Sequence, residues 1–226
     1  MKNTHELEDD LRERWLKSYP DDERKAFCFD GLCYNGEIYN DGKNAHQGNE
    51  EKLWNNTDRR ILFLMKDTNN NSDSDYREWH WRNINHNFFN CIFKWLEGLS
   101  RISKDFIPTM ENGDYAAVPN AVVTKYPLAI VNIKKISGTS FVSNKTLYEY
   151  ANRDKAFLQE QIRGILHPNI IVCGGGKGTV LNIAKNIIYE DESFREINYF
   201  CHYSRKLNIL LIDSFHPSAR INSYWR

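Results

Sequence analysis

With 226 residues the chain is long enough to bury the core of one domain and short for two. Lys plus Arg and Asp plus Glu are equal at 30 each, so no global field marks a nucleic-acid or membrane surface, and attraction for phosphate must be local. Cys28, Cys33, Cys91, Cys173 and Cys201 are odd in number and form no CxxC pair, a pattern that speaks against a disulfide framework and against a zinc or iron–sulfur site.

The first residues are charged and polar, and no apolar run approaches the roughly 18 residues of a membrane span. A reduced, cytoplasmic protein is therefore expected. Residues 4–17 predict an amphipathic helix: Thr4 is a capping type, Glu6, Glu8, Asp9 and Asp10 favour its positive end, and Leu7, Leu11 and Trp15 recur at spacing four. Residues 26–39, AFCFDGLCYNGEIY, place aromatic pieces around Asp30-Gly31 and Asn35-Gly36 and predict a hairpin. Cys28 and Cys33 are close enough in sequence to bridge, but free thiols are the simpler expectation. Residues 41–57 read as a surface loop.

The stretch 60–70, RILFLMKDTNN, is apolar on both faces from Ile61 to Met65 and then turns abruptly polar. That pattern predicts a central strand of a parallel sheet. A polar loop follows over 69–75, then a long aromatic-rich helix over 76–102 with a break near 83–87, then an irregular segment over 105–125. A second strand, YPLAIVNI, covers 126–133, and a helix covers 144–166. A third strand, PNIIVC at 168–173, runs straight into Gly174, Gly175, Gly176, Lys177 and Gly178 and a helix over 179–189. The fourth, LNILLI at 207–212, ends in Asp213, Ser214, Phe215, His216, Pro217 and Ser218. Apolar strands alternating with helices predict an α/β fold, a three-layer α/β/α domain around a central four-stranded parallel sheet.

Each strand end delivers polar groups to one edge of such a sheet, which is where open α/β folds bind ligands. The pieces LFLMKDTN, AIVNIKK, IIVCGGGK and IDSFHPSAR, in that order, resemble the uracil-DNA glycosylase superfamily over residues 60–221. The resemblance implies a domain over 59–226 with an N-terminal extension of helix and hairpin over 1–58, packed as one unit. It also implies excision of a flipped or single-stranded pyrimidine from DNA by a monomer that needs no metal or organic cofactor, in DNA repair or in defence.

The chemistry fits these residue types. Cleaving an N-glycosidic bond builds positive charge on the sugar and negative charge on the departing base. Asp67 can stabilise the first and hold the attacking water, and His216 can donate to the second. The amide of Asn132 offers both donor and acceptor to a Watson–Crick edge. Thr68 and Asn69 follow the acid, and Trp79 or Trp81 can stack on the base. Lys135, Gly175, Lys177, Ser218 and Arg220 are the expected DNA contacts, the glycine turn through backbone amides. GGGKGT matches neither a nucleoside-triphosphate loop nor a dinucleotide fingerprint.

Two departures from the family pattern bear on substrate. Where the best-known uracil-excising branch follows its acid with Pro-Tyr, Thr68 and Asn69 stand here, and the smaller Asn69 leaves room for a substituent at pyrimidine C5. Where a leucine wedge is expected, Ala219, Arg220 and Ile221 stand. Two other readings fit the same residues: a binding module that has lost catalysis, with Lys66 quenching Asp67, and a hydrolase of free nucleosides or nucleotides.

Overall fold

The computed structural model describes residues 2–39, 44–68, 74–78, 87–108, 122–138 and 141–219. The N-terminal helix α1 (Thr4–Ser18) is capped by Asn3 rather than Thr4. Its side-chain oxygen accepts from the Glu6 amide at 2.8 Å, and Glu6 accepts from the Asn3 amide at 2.9 Å, a reciprocal box that satisfies two donors free at a helix start. Leu11 and Trp15 are fully buried, whereas Leu7 is exposed; Thr4, His5 and Glu8 complete the buried face.

The hairpin expected over 26–39 does not form. The short strand β1 (Cys28–Phe29) pairs in parallel with β3 (Ser74–Asp75), and bridges from Phe27 to Ile136 and from Leu32 to Ala129 lay this stretch antiparallel along a sheet edge. Asp30-Gly31 is thus spent on following that edge. The helix α3 (Glu50–Asn56) replaces part of the expected 41–57 loop, because Trp54 is fully buried and its indole N–H donates to the Leu166 carbonyl at 2.8 Å. A one-turn helix, α2 (Asp21–Arg24), precedes β1.

The central sheet has six strands rather than four, in the order β4-β2-β5-β8-β7-β6. The four foreseen strands, β2 (Ile61–Asp67), β4 (Ala129–Lys134), β5 (Ile170–Gly174) and β8 (Ile209–Ser214), are mutually parallel. An antiparallel hairpin of β6 (Arg195–Asn198) and β7 (Cys201–Ser204) extends the β8 side. From β2 the chain steps outward to β4 and then crosses to β5 on the other side. The strand order therefore reverses beside β2, and the crevice past the ends of β2 and β5 is where such a sheet receives ligands.

Strand alternation sorts the core into two layers. Leu62, Leu64, Val131, Ile133, Ile171 and Cys173 pack under α1 and the helices α5 (Asn144–Arg153) and α6 (Lys155–Gln159). Ile61, Phe63, Met65 and Val172 pack under α4 (Asn87–Arg101), through Phe89, Ile92, Phe93 and Leu96. Helices thus cover both faces, the condition under which parallel strands can be apolar throughout. The expected helix over 144–166 breaks at Asp154 and widens into π-type turns over Glu160–Leu166, and α7 (Thr179–Ile183) widens likewise over Ala184–Ile188. The described part of the 76–102 helix begins only at Asn87. No described helix is long and apolar enough to cross a membrane.

Candidate active site

Asp67 ends β2, where the register pairs it with Lys134 of β4. The Lys134 ammonium stands 3.7 Å from Asp67 Oδ2 and donates to the Ile136 carbonyl. Burial pushes the Asp67 carboxyl above the usual range, and Lys134 and then Lys66 oppose that rise. Burial likewise lowers the Lys134 ammonium, with Asp67 acting the other way. The acid therefore sits in a half-dry corner with one cation beside it, and that cation is Lys134 rather than the adjacent Lys66.

This corner is short of internal hydrogen bonds. Asp67 Oδ2, Thr68 Oγ1 and Ser137 Oγ are buried without a hydrogen-bond partner, and Thr68 is only 4% exposed. Buried polar atoms in folded proteins are nearly always paired, so such a group of orphans invites a polar guest. Ser137-Gly138 closes over the corner: the Gly138 amide donates to the Thr68 carbonyl at 3.0 Å, and a β-carbon on Gly138 would lie 2.6 Å from Asp67 Oδ2. Both belong to the polar stretch that follows the second apolar run, but the sequence assigns neither a role. Their position three and four residues past Lys134, the register partner of Asp67, is the signal that would have found them.

His216 follows β8. The Ser218 amide donates to its Nδ1 at 3.2 Å, and its ring lies 5.4 Å from that of Phe88. With Nδ1 accepting, the neutral ring carries its proton on Nε2. Burial, and secondarily the Lys66 charge, pulls the imidazole below its ordinary pKa, which keeps it neutral at physiological pH. Ser218 thus acts through its backbone as the group that orients the histidine.

The His216 loop rests on the glycine turn. A β-carbon on Gly174 would meet Met65 Sδ at 2.4 Å and Pro217 Cδ at 3.6 Å, and one on Gly175 would meet Val180 Cγ2 at 2.3 Å and Lys66 Cε at 3.3 Å. These glycines let the strand ends of β2, β5 and β8 approach one another. Gly176 and Gly178 have left-handed backbones, at φ +67° and +70°, and Lys177 between them has φ 53° and an exposed side chain. The Gly175 and Gly176 amides both donate to the Ser214 carbonyl, at 3.1 and 2.8 Å, so neither is presented to a phosphate.

Two expected contacts are redirected inward. Asn132, in register with Met65, is 6% exposed, and its Nδ2 donates to Asp30 Oδ2 at 2.9 Å while its backbone amide donates to the same oxygen at 3.0 Å. Lys135, expected at DNA, is 0% exposed: it ion-pairs with Asp30, donates to Gln161 at 3.2 Å and lies over the rings of Trp15 and Phe29 at 4.9 and 5.4 Å. A fully enclosed ammonium cannot reach a phosphate, so Lys135 is a core cation and not a DNA ligand. Asn69, Trp79 and Arg220 lie outside the described residues.

A cavity of about 290 Å³ between α4 and β8 is lined by Trp95, Leu99, Ile107, Val172 and Ile212 and reaches Ser214. Apart from Lys94 its lining carries no titratable group, whereas the Asp67–His216 edge carries several. Among the described residues no cluster of His, Cys, Asp and Glu is arranged to hold a metal ion, and all five cysteines are free thiols. No family model matches the chain, and no curated protein matches it.

Proposed function

We propose that the chain is a DNA glycosylase of the uracil-DNA glycosylase type, hydrolysing the N-glycosidic bond of a flipped uracil or C5-modified pyrimidine. The observation that carries the reading is the Ser218 amide to His216 Nδ1 hydrogen bond, which leaves a neutral imidazole with an Nε2–H donor at the sheet edge that also holds the half-buried acid Asp67. A donor for a leaving base oxygen and an anion for a sugar cation are the two groups that this bond cleavage demands.

In that mechanism the glycosidic electron pair departs with the base, whose oxygen receives the His216 Nε2–H bond. Asp67 stabilises the sugar cation and accepts a proton from the water whose oxygen bonds to the sugar. Thr68 and Ser137, with unpaired hydroxyls in the same corner, are available to that water or to the base. Asn132 offers no amine to the base, its Nδ2 being given to Asp30.

The test incubates the protein with DNA containing uracil, 5-substituted uracils or modified cytosines and measures abasic sites. His216→Ala and Asp67→Asn should each lower release by about 10²–10³-fold, the usual cost of one transition-state contact. Full activity in either variant, or no release from any substrate, overturns the mechanism. A second reading, binding without turnover, is favoured by the Lys134 ammonium beside Asp67; it requires binding to uracil-containing DNA with no abasic product.

A further inference from the structure

The β6–β7 hairpin carries an exposed aromatic tip for which the catalytic constellation has no use. Tyr199 is 76% exposed and Phe200 50%, with their rings edge to face at 4.9 Å. The tip is built: the Asn198 side-chain oxygen accepts from both the Phe200 and Cys201 amides at 2.9 Å, a tight turn that points the two rings outward. Because β7 runs antiparallel to β8, with Cys201 opposite Ile212, this tip stands at the same sheet edge as the C-terminal end of β8. The Asp213 amide donates to the Phe200 carbonyl at 2.7 Å, so the tip is joined by backbone to the segment that becomes Phe215-His216.

Phe215 is itself 50% exposed, and a β-carbon on Gly176 would lie 3.7 Å from its ring, which places it against the turn that presents Lys177. Three exposed rings and one exposed cation therefore flank the candidate site on its β8 side. Aromatic faces beside positive charge are the composition of surfaces that hold unpaired nucleic acid, since every base has a face to stack and every linkage a phosphate. A paired duplex offers no free base faces to such rings.

We infer that Tyr199, Phe200 and Phe215, with Lys177, form a stacking platform for unpaired bases next to the target nucleotide, so that the substrate is single-stranded DNA or DNA already opened around the target. The inference rests on the glycosylase reading for its choice of DNA as ligand. It assigns the hairpin a function in substrate selection.

The test measures anisotropy of labelled dA12, which contains no pyrimidine, and of the matching duplex dA12·dT12, at one salt concentration. The protein should bind the single strand about tenfold or more tightly than the duplex. Tyr199→Ala/Phe200→Ala should weaken single-strand binding about tenfold or more, and Tyr199→Trp should retain it. Circular dichroism melting of each variant separates loss of the platform from loss of the fold. Equal affinity for both forms, no binding of dA12, or indifference to the double substitution overturns the inference. So does conversion of a wild-type dimer to a monomer by the double substitution, which would assign the rings to a second copy. Tip-dependent binding of dA12 supports the platform even where no base is released from any DNA, whereas base release from single-stranded substrate that ignores the tip overturns the platform and leaves the glycosylase reading intact.

Discussion

At the scale of single residues, Asp67 is governed by two opposing effects, burial raising its pKa and Lys134 at 3.7 Å lowering it. A catalytic Asp67 works as the anion, so base release should fall as pH drops through its raised pKa. Removing the neighbouring cation takes away the largest opposing effect. Lys134→Gln should therefore move the acidic limb of kcat/KM to higher pH, with the alkaline side unchanged. An unmoved acidic limb would mean that another group sets it. The places of Asp67 and His216 at strand ends were legible in the sequence because each comes shortly after an apolar run. The partner of Asp67 was not, because adjacency favours Lys66 whereas parallel pairing selects Lys134, and pairing is a property of the sheet.

At the scale of elements, α1, the edge segment at Asp30 and the π-type turns at Gln161 meet in a buried polar network. The Gln161 amide donates to the Asp30 carbonyl at 2.5 Å and to Glu8 at 3.4 Å, and Arg77 lies 3.6 Å from Glu8. Lys135 belongs here, as strand alternation from Val131 and Ile133 into the α1-facing layer would have indicated. Lys135→Met should cost stability by about 3–5 kcal/mol, because it strands the Asp30 carboxylate in the interior. The same change should leave the salt dependence of DNA binding unaltered, and a shallower slope in an affinity titration would restore Lys135 to the interface. Burial pushes the Glu8 carboxyl up to about 7, against Arg77 and His5. Since the folded pKa exceeds the unfolded one, Glu8 contributes stability that is complete below about 4.5 and is lost as pH rises through about 7. Glu8→Gln should flatten that loss, its unfolding free energy relative to wild type improving between pH 5 and pH 8 in denaturant titrations. The parallel strands were readable because burial on both faces leaves continuous apolar runs. The β6–β7 hairpin was not, since its outer strand REIN is exposed throughout and carries no apolar period, and Asp30-Gly31 misled because a turn dipeptide carries no record of the edge beside it.

At the scale of the whole molecule, the question is whether residues 59–226 hold together without the segment before them. Leu11, Trp15, Phe27, Phe29, Leu32 and Trp54 are all buried to 1% exposure or less, in one cluster with Leu62, Leu64 and Val131 of the sheet. Each such side chain contributes about 1.5–3 kcal/mol on burial. Six of them together match or exceed the roughly 5–15 kcal/mol by which an entire domain is stable. The same segment hydrogen-bonds the free edge of β4, with the Cys28 amide donating to the Lys135 carbonyl at 2.8 Å and the Ile130 amide to the Gly31 carbonyl at 3.0 Å, and an uncovered parallel edge invites aggregation. The described residues of this segment are thus part of the core and not an appendage to it. A protein cut to 59–226 should show no cooperative thermal transition by circular dichroism and should bind a hydrophobic dye at neutral pH. If it instead melts cooperatively within a few degrees of the full chain, the α1-facing layer is closed by α5 and α6 alone, and the N-terminal segment is free to be exchanged without disturbing Asp67 and His216.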